Sequence, residues 1–384
     1  MAWTLVARGF SVRGSSSNRI IANQLKCLEV WGWRRLAEPR SEAKENFLQP
    51  VNPLEHADWD ATLGCRPDFS FFHGLAWTRV LVETYGFRPA WQVEERSLLP
   101  LMEVDSWLTG RRGIALPFTD GCAPLCESEK EFEPLFRQAL EWGRERGWRS
   151  IELRGGRELL PGAPPSIAFY RHQVDLTVGE PELFKRMDGS ARQAVRKAEK
   201  EGVTVEVSAS EQAVRDFYAL QCLTRKRHGL PPQPRRFFLN IWRHILSQKQ
   251  GMVVLASWRG RRIAGAVFFL AGGRAIYKYG ASDYRRQRLR PNNLVIWEGM
   301  KWLARNGAAG LDLGKTSLLH EGLRKFKRNL GAIEHRLEYV KFDLRRKTFT
   351  VEVDDVDGWH NAIFRALPVF LSRGAGQLLY KHWA

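Results

Sequence analysis

Residues 139–156 read A-L-E-W-G-R-E-R-G-W-R-S-I-E-L-R-G-G, and residues 299–316 read G-M-K-W-L-A-R-N-G-A-A-G-L-D-L-G-K-T. At a constant offset of 160 positions Trp142 meets Trp302, Gly147 meets Gly307, Ile151 meets Leu311, Glu152 meets Asp312 and Leu153 meets Leu313. Each stretch describes a helix stopped by glycine, a short turn, and a buried strand carrying one acid. A recurrence of this kind marks a duplicated unit and governs the fold reading before any local assignment. The chain reads as a duplicated α/β (α+β) protein, each half a mixed, mainly antiparallel sheet flanked by helices.

The flanking patterns fill in both halves. In the first, 71–85 has helical spacing and stops at Gly86. Strand patterns follow at 90–94, 97–104 and 113–117, then a helix at 131–146 and strands at 150–153 and 169–175. Gly179-Glu180-Pro181 marks a boundary. The second half opens with a basic helix at 181–201, a strand at 203–207 and a helix at 210–228. A stiff Gly-Pro loop and a helix at 235–248 lead to a meander, 252–258, 262–271 and 275–282. Helix 292–305, strand 310–313 and a last strand at 337–343 complete it. The expected organisation is an extension at 1–45, a first domain at 46–178, a second at 179–345 and an amphipathic tail at 346–384. The first 28 residues hold four basic residues and no acid, and the extension is expected to be disordered.

Length and composition suit two ordinary globular domains: 384 residues, 44% hydrophobic, with 15 Trp and 21 Phe. The apolar runs are too short to span a bilayer. Five Cys, at 27, 65, 122, 126 and 222, are odd in number and irregular in spacing, which reads as reduced thiols in a cytoplasmic protein. No zinc spacing is legible, and neither metal nor cofactor is expected. The net charge is +18, and between Lys185 and Arg290 there are 23 Lys or Arg against 7 Asp or Glu, leaving +16 in that segment. Such a field favours polyanionic partners.

Several second-half motifs point to a family. The strand ends Asp312-Leu313-Gly314-Lys315, followed by Gly322-Leu323-Arg324-Lys325-Phe326-Lys327-Arg328-Asn329-Leu330-Gly331-Ala332. Upstream stand Arg192, Arg196, Lys197, Ala198, Lys200, Gly202 and Val203, and Arg290-Pro291-Asn292-Asn293 opens the repeated helix. With the order of helices, meander, helix and strand, these resemble the Fem family of GNAT-like transferases (FemA, FemB, FemX and relatives) over roughly residues 50–345. The resemblance implies two tandem GNAT-like domains. It also implies transfer of an amino acid from aminoacyl-tRNA to an amine of a cell-envelope precursor.

That reaction is aminolysis of an ester through a tetrahedral oxyanion, and it needs a fixed cation or N–H donors where charge develops. Lys327 matches the family's motif lysine and is the candidate for that role, with Phe326 as its apolar anchor. Asp312 is the candidate to orient the amine or take its proton, although Glu152 at the equivalent place gives both acids a structural reading too. Arg192, Arg196 and Lys197 share a helix flank suited to phosphates. Tyr277 and Tyr279, expected on one strand face, together with Arg290, Asn292, Asn293, Gly314 and Lys315, complete the candidate substrate-binding set.

One departure bears on the donor. Acyl-CoA-using GNAT proteins cradle pyrophosphate on a glycine-rich turn, whereas the equivalent 285–293 segment here has four arginines and no glycine. Aminoacyl-tRNA is therefore the expected donor, with acyl-CoA the alternative, for an N-acyltransferase acting on an amino sugar or polysaccharide precursor. A non-catalytic nucleic-acid-binding protein is a third reading. The acceptor would be a nucleotide- or lipid-linked envelope precursor. The tail mixes Phe364, Phe370, Leu378 and Trp383 with Arg365, Arg373 and Lys381. It is expected either to pack on the second domain or to lie on the inner membrane face.

Overall fold

The computed structural model describes residues 49–64, 66–352 and 364–383. The N-terminal extension, Cys27 and Cys65 lie outside the described residues. The first half runs α1 (Trp59–Leu63), α2 (Leu75–Tyr85), β1 (Arg88–Pro89), β2 (Gln92–Glu94), β3 (Ser97–Leu99), β4 (Met102–Val104), β5 (Arg112–Ile114), α3 (Glu129–Glu145), β6 (Ser150–Arg154) and β7 (Ile167–Asp175). There follow α4 (Glu180–Arg186), α5 (Gly189–Lys200), β8 (Thr204–Ser208), α6 (Glu211–Arg227), α7 (Arg235–Ile241), β9 (Gly251–Trp258), β10 (Arg261–Ala271) and β11 (Arg274–Ser282). The chain ends with α8 (Pro291–Arg305), β12 (Gly310–Ser317), α9 (Glu321–Asn329), β13 (Ile333–Asp343), β14 (Thr348–Phe349) and α10 (Val369–Leu379).

The repeat is reproduced bond by bond. After α3, Arg146, Gly147 and Trp148 donate to the carbonyls of Trp142, Arg144 and Gly143. After α8, Asn306, Gly307 and Ala308 donate to Trp302, Ala304 and Leu303, the same three bonds 160 residues on. Gly147 and Gly307 both take the left-handed conformation, φ 67° and 80°, that closes a helix and turns the chain into a strand. The strands then pair alike. Ile151 and Glu152 of β6 lie parallel to Gly113 and Ile114 of β5, as Leu311 and Asp312 of β12 lie parallel to Ala275 and Ile276 of β11.

The halves then exchange strands. β7 pairs antiparallel with β12 of the second half, and β13 pairs antiparallel with β6 of the first. Phe342 faces Ile151 as Val174 faces Leu311, so β13 repeats β7 at a spacing of 168. Because β7 and β13 also pair with each other, with Phe169 opposite Leu337, the local two-fold passes through that pair. The result is one continuous twelve-stranded sheet in the order β1-β4-β5-β6-β13-β7-β12-β11-β10-β9-β8, with β14 on β13.

The cores follow from this sheet. One face carries a hydrophobic core running through both halves, from Trp91 and Leu98 to Trp77, Phe217, Phe237 and Phe269. The other face carries two separate cores, each under a copy of the repeated helix: Phe132, Leu135 and Ala139 of α3, and Leu294, Met300 and Leu303 of α8. Burial of each Leu, Met or Phe side chain among these contributes on the order of 1.5–3 kcal/mol.

Several elements differ from the sequence reading. The strand at 97–104 breaks at Pro100, β3 joining β2 in a separate hairpin and β4 joining the main sheet. The basic helix at 181–201 is two helices, because the Asp188 side chain accepts from Ser190 N and caps a new start. β12 runs on to Ser317 and β13 begins at Ile333. The start of β13 puts His335 and Arg336 on a cavity wall, and the end of β12 turns Lys315 onto Tyr339, so neither end shows an apolar period.

Candidate active site

The site is built where β11 and β12 part. The two strands pair only from Arg274↔Gly310 to Ile276↔Asp312 and then diverge. Each is distorted at the point of divergence. On β11, Tyr279 faces Val267 and Tyr277 faces Phe268 of β10, so Lys278 is the extra residue of a β-bulge. On β12, three steps from Asp312 to Lys315 match two on β7, and Gly314 takes φ 76°. The Gly314 amide folds back to donate to Asp312 Oδ1 at 2.8 Å, while Asp312 Oδ2 pairs with Arg171 Nε at 2.6 Å.

The bulge corrects the expectation that Tyr277 and Tyr279 share a face. The extra residue resets the alternation. Tyr277 packs with Phe268 in the α8-side core, and Tyr279 packs with Phe237 and Phe238 on the opposite side. Burial pushes the Tyr277 phenol up to about 12.

Lys327 sits on α9, whose Phe326 packs against the α8-side core. Its side chain is 4% exposed, and Nζ donates to Gly314 O at 2.9 Å and Lys315 O at 3.1 Å, straddling the β12 distortion. Burial lowers Lys327 to about 8, with Asp120 and Asp312 opposing the fall. The ammonium is not alone, because Lys315 and Lys278 converge on the same place. Lys315 Nζ donates to Tyr339 Oη at 3.0 Å and lies 4.0 Å from the Phe169 ring centre. Burial and the nearby Arg154 lower it to about 8 as well. Lys278 lies over Phe72 and Trp77.

The counter-charge comes from the other half. Asp120, in the loop after β5, reaches Lys278 Nζ at 3.3 Å. A Cβ on Gly314 would lie 3.1 Å from Asp120 Oδ2, so the carboxylate sits directly on the gap. Burial would raise this carboxyl, but Lys278, Lys315 and Lys327 outweigh it and hold it below its ordinary range. The loop is fixed from several directions. Tyr339 Oη donates to Asp120 O at 2.5 Å, and Arg154, paired with Glu152 at 2.8 Å, points Nη1 at the carbonyls of Leu116 and Thr119. Leu116 and Phe118 both have positive φ, 47° and 61°, strained backbone of the kind stored near functional sites.

Beside this cluster, on the face of the shared core, opens a cavity of about 960 Å³. Its wall includes Asp312, Arg171, Arg154, His73, Arg336 and Glu338, with Gly121 and Ala123 on either side of Cys122, just past Asp120. It lies across the exchanged strands, so both halves line it. Lys327, Lys315 and Lys278 stand behind its wall rather than on it.

The structure thus brings together Lys327, Phe326, Asp312, Gly314 and Lys315, with Tyr277 O close to Gly314. Two other groups lie apart. Arg290, φ 58°, precedes α8, where Asn292 reaches Ser282 and Asn293 is half-buried. Arg192, Arg196 and Lys197 lie on α5, Arg192 bonded to Lys185 O and Arg196 over Phe184. They are outside the cavity, although α5 meets α9 through Ser190 and Asn329. Asp120, Lys278, Arg154, Arg171 and Tyr339 were not singled out from the sequence. Cys122, Cys126 and Cys222 are free thiols, and burial raises the pKa of each.

Two GNAT-like units in tandem, joined by exchanged strands, define the class of this protein. Residues 185–328 match the Acetyltransferase (GNAT) domain family. The chain is similar to the solved structure of FemX, at 16% identity over 75% of this chain and 96% of that one, with a TM-score of 0.60. It is also similar to the C-terminal domain of a putative lysylphosphatidylglycerol synthetase from Agrobacterium fabrum, at 15% identity over 75% and 92%, TM-score 0.51. A conserved protein of unknown function from Bacteroides thetaiotaomicron VPI-5482 is similar at 11% identity over 76% and 97%, TM-score 0.54. No curated protein matches the sequence. At these identities the likeness is one of fold, and at that level it bears out the resemblance to Fem-like proteins.

Proposed function

We propose that this protein is an aminoacyl or acyl transferase of the Fem type, joining an amino acid from aminoacyl-tRNA to an amine of a nucleotide- or lipid-linked envelope precursor. The observation that carries the reading is the Lys327 ammonium, buried behind the distorted β12 at the gap between parted strands. An ammonium has three N–H donors, and two are taken by carbonyls, leaving one for charge developing in the gap. The acceptor amine attacks the ester carbonyl and a C–N bond forms. The carbonyl oxygen becomes an oxyanion beside Lys327; as it collapses the C–O bond to the tRNA ribose breaks, and the proton lost by the amine ends on the ribose oxygen, which leaves as a hydroxyl. The excess of Lys278, Lys315, Lys327 and Arg154 over Asp120 and Glu152 favours an anionic state in this dry setting. The cavity lined by both halves supports binding of a sizeable acceptor with mixed charges.

An acyl-CoA donor is the second reading, favoured by the match to the acetyltransferase domain family. Against it, residues Tyr284–Leu289 form a 3-10 turn whose amides are spent internally, Arg285 N and Arg286 N on Asp283 and Arg290 N on Gln287 O. Few N–H groups are left there to cradle a pyrophosphate. The deciding experiment incubates the protein with charged tRNA and nucleotide-linked precursors and reads the products by mass. An aminoacylated precursor that disappears with Lys327→Ala supports the proposal. Tight, salt-sensitive tRNA binding with no product would favour the non-catalytic nucleic-acid-binding reading.

A further inference from the structure

We infer that the tail helix α10 and the loop between β4 and β5 form one surface that docks on an anionic phospholipid bilayer. Trp107, Leu108, Phe370, Leu371, Leu378 and Trp383 make up half of the large apolar side chains exposed among the described residues; the first two lie on the loop, the next three on α10 and Trp383 on the turn that follows it. Trp107, Phe370 and Leu378 are 78%, 70% and 72% exposed, which is costly in water without an apolar partner.

The two segments are clamped together. The His382 ring shares a hydrogen bond with Ser106 Oγ at 2.8 Å and meets the Trp107 ring edge-on at 5.3 Å. One flank of α10 is docked: Ser372 and Gly376 are buried, and a Cβ on Gly376 would lie 2.0 Å from Pro232 O. Tyr380, just beyond, is buried against Phe118. The opposite flank, with Phe370, Gly374 and Leu378 at successive four-residue steps and Leu371 beside them, is left facing outward. The packed flank matches the expectation that the tail lies against the body of the protein, and the outward flank is the one assigned to the bilayer.

Charge selects the occupant. Residues 364–383 contain Arg365, Arg373 and Lys381 and no acid, and the adjoining end of α6 adds Arg225, Lys226 and Arg227, with Arg225 over Tyr380. An apolar stripe bounded by basic residues fits an anionic lipid surface. A second copy of this chain would set like charges against each other. Among the described residues no helix is long and apolar enough to cross a membrane, and the contact inferred for this surface is a peripheral one. This inference does not rest on the transfer chemistry.

The test sediments the full chain with vesicles of phosphatidylcholine, with and without phosphatidylglycerol, at low and high salt. Binding is expected only with phosphatidylglycerol, weakened by salt. The pairs Trp107→Ser with Leu108→Ser, and Phe370→Ser with Leu378→Ser, are each expected to lower partitioning by about tenfold or more. Arg365→Gln with Lys381→Gln should lower it as well. These side chains are exposed, so unchanged melting curves will show that the variants still fold. No pelleting, equal pelleting on neutral vesicles, or variants that bind like wild type would overturn the inference. So would concentration-dependent dimerisation abolished by the same substitutions, which would assign the surface to a second copy.

Discussion

Asp120 of the first half holds Lys278 of the second, carboxylate to ammonium at 3.3 Å, across the gap between β11 and β12. Lys278 is 5% exposed and Asp120 23%, so the pair is screened only in part. Removing the carboxylate leaves three lysines crowded without their shared counter-ion. Asp120→Asn is expected to destabilise the protein by about 2–4 kcal/mol, below the range for a fully buried pair because Asp120 touches solvent. Adding Lys278→Met should recover part of that loss. Urea unfolding of the two single variants and the double variant measures the coupling, and additive losses would refute it.

Lys327 is expected to act while protonated. Lys327→Ala should lower kcat by about 100- to 1000-fold with little change in KM, the pattern for a group that stabilises charge only in the transition state. With Lys327 lowered to about 8, the rate should fall as pH rises through about 8. In Lys327→Arg, whose guanidinium keeps its proton, any residual rate should lose that falling limb. A pH–rate profile unchanged in both variants would remove Lys327 from the reaction.

The same lysine makes a stability prediction with a definite sign. Its folded pKa of about 8 lies below the ordinary 10.5, so between those values the unfolded chain binds the extra proton. Wild type should therefore gain stability relative to Lys327→Met as pH rises from 8 towards 10.5. The difference between the profiles is the informative quantity. Buried Cys126 and Tyr277 are raised instead and act in the opposite direction, but they are common to both proteins. Denaturation midpoints measured across this range give the sign directly.

Gly314 and Gly147 separate two reasons for a left-handed glycine. Gly147 has nothing within 4 Å of an added Cβ, so Gly147→Ala carries only the conformational cost, about 1 kcal/mol. Gly314→Ala meets the same cost and also presses on Asp120. It should cost about 2–3 kcal/mol and lower transfer activity, since it displaces the counter-ion of the lysines. Equal losses from the two substitutions would mean that the Asp120 contact is energetically idle.

What the sequence made legible follows from the range of each signal. The helix–glycine–strand repeat is local and survives as identical hydrogen bonds, and the Phe326-Lys327 pair sits next to the strand it serves. Asp120 could not be read, because its partners lie in the other half and meet it only through the tertiary fold. Its segment, Pro117-Phe118-Thr119-Asp120-Gly121, looks like an ordinary turn. The start of β13 was missed because Glu334, His335 and Arg336 border polar neighbours and the cavity, so no apolar alternation marks it. Tyr277 and Tyr279 read as sharing one face because a β-bulge at Lys278 leaves no composition signal of its own, save Gly280 two residues on.

The choice of donor turns on the start of α8. Arg290 caps the helix with φ 58°, a conformation disfavoured for a residue with a side chain, and Pro291 at the first helical position offers no N–H. The preceding 3-10 turn spends its amides on Asp283 and Gln287. What remains is a set of arginine side chains, suited to the spaced phosphates of a nucleic acid more than to a pyrophosphate wrapped by backbone. Calorimetry with acetyl-CoA is accordingly expected to give no measurable heat of binding. Charged tRNA should bind with an affinity that falls steeply with salt. Arg288→Gln with Arg290→Gln should flatten that salt slope by about one to two released ions, leaving the fold intact. Saturable binding of acetyl-CoA with a salt-independent tRNA affinity would reverse the assignment of donor while leaving the Lys327 site in place.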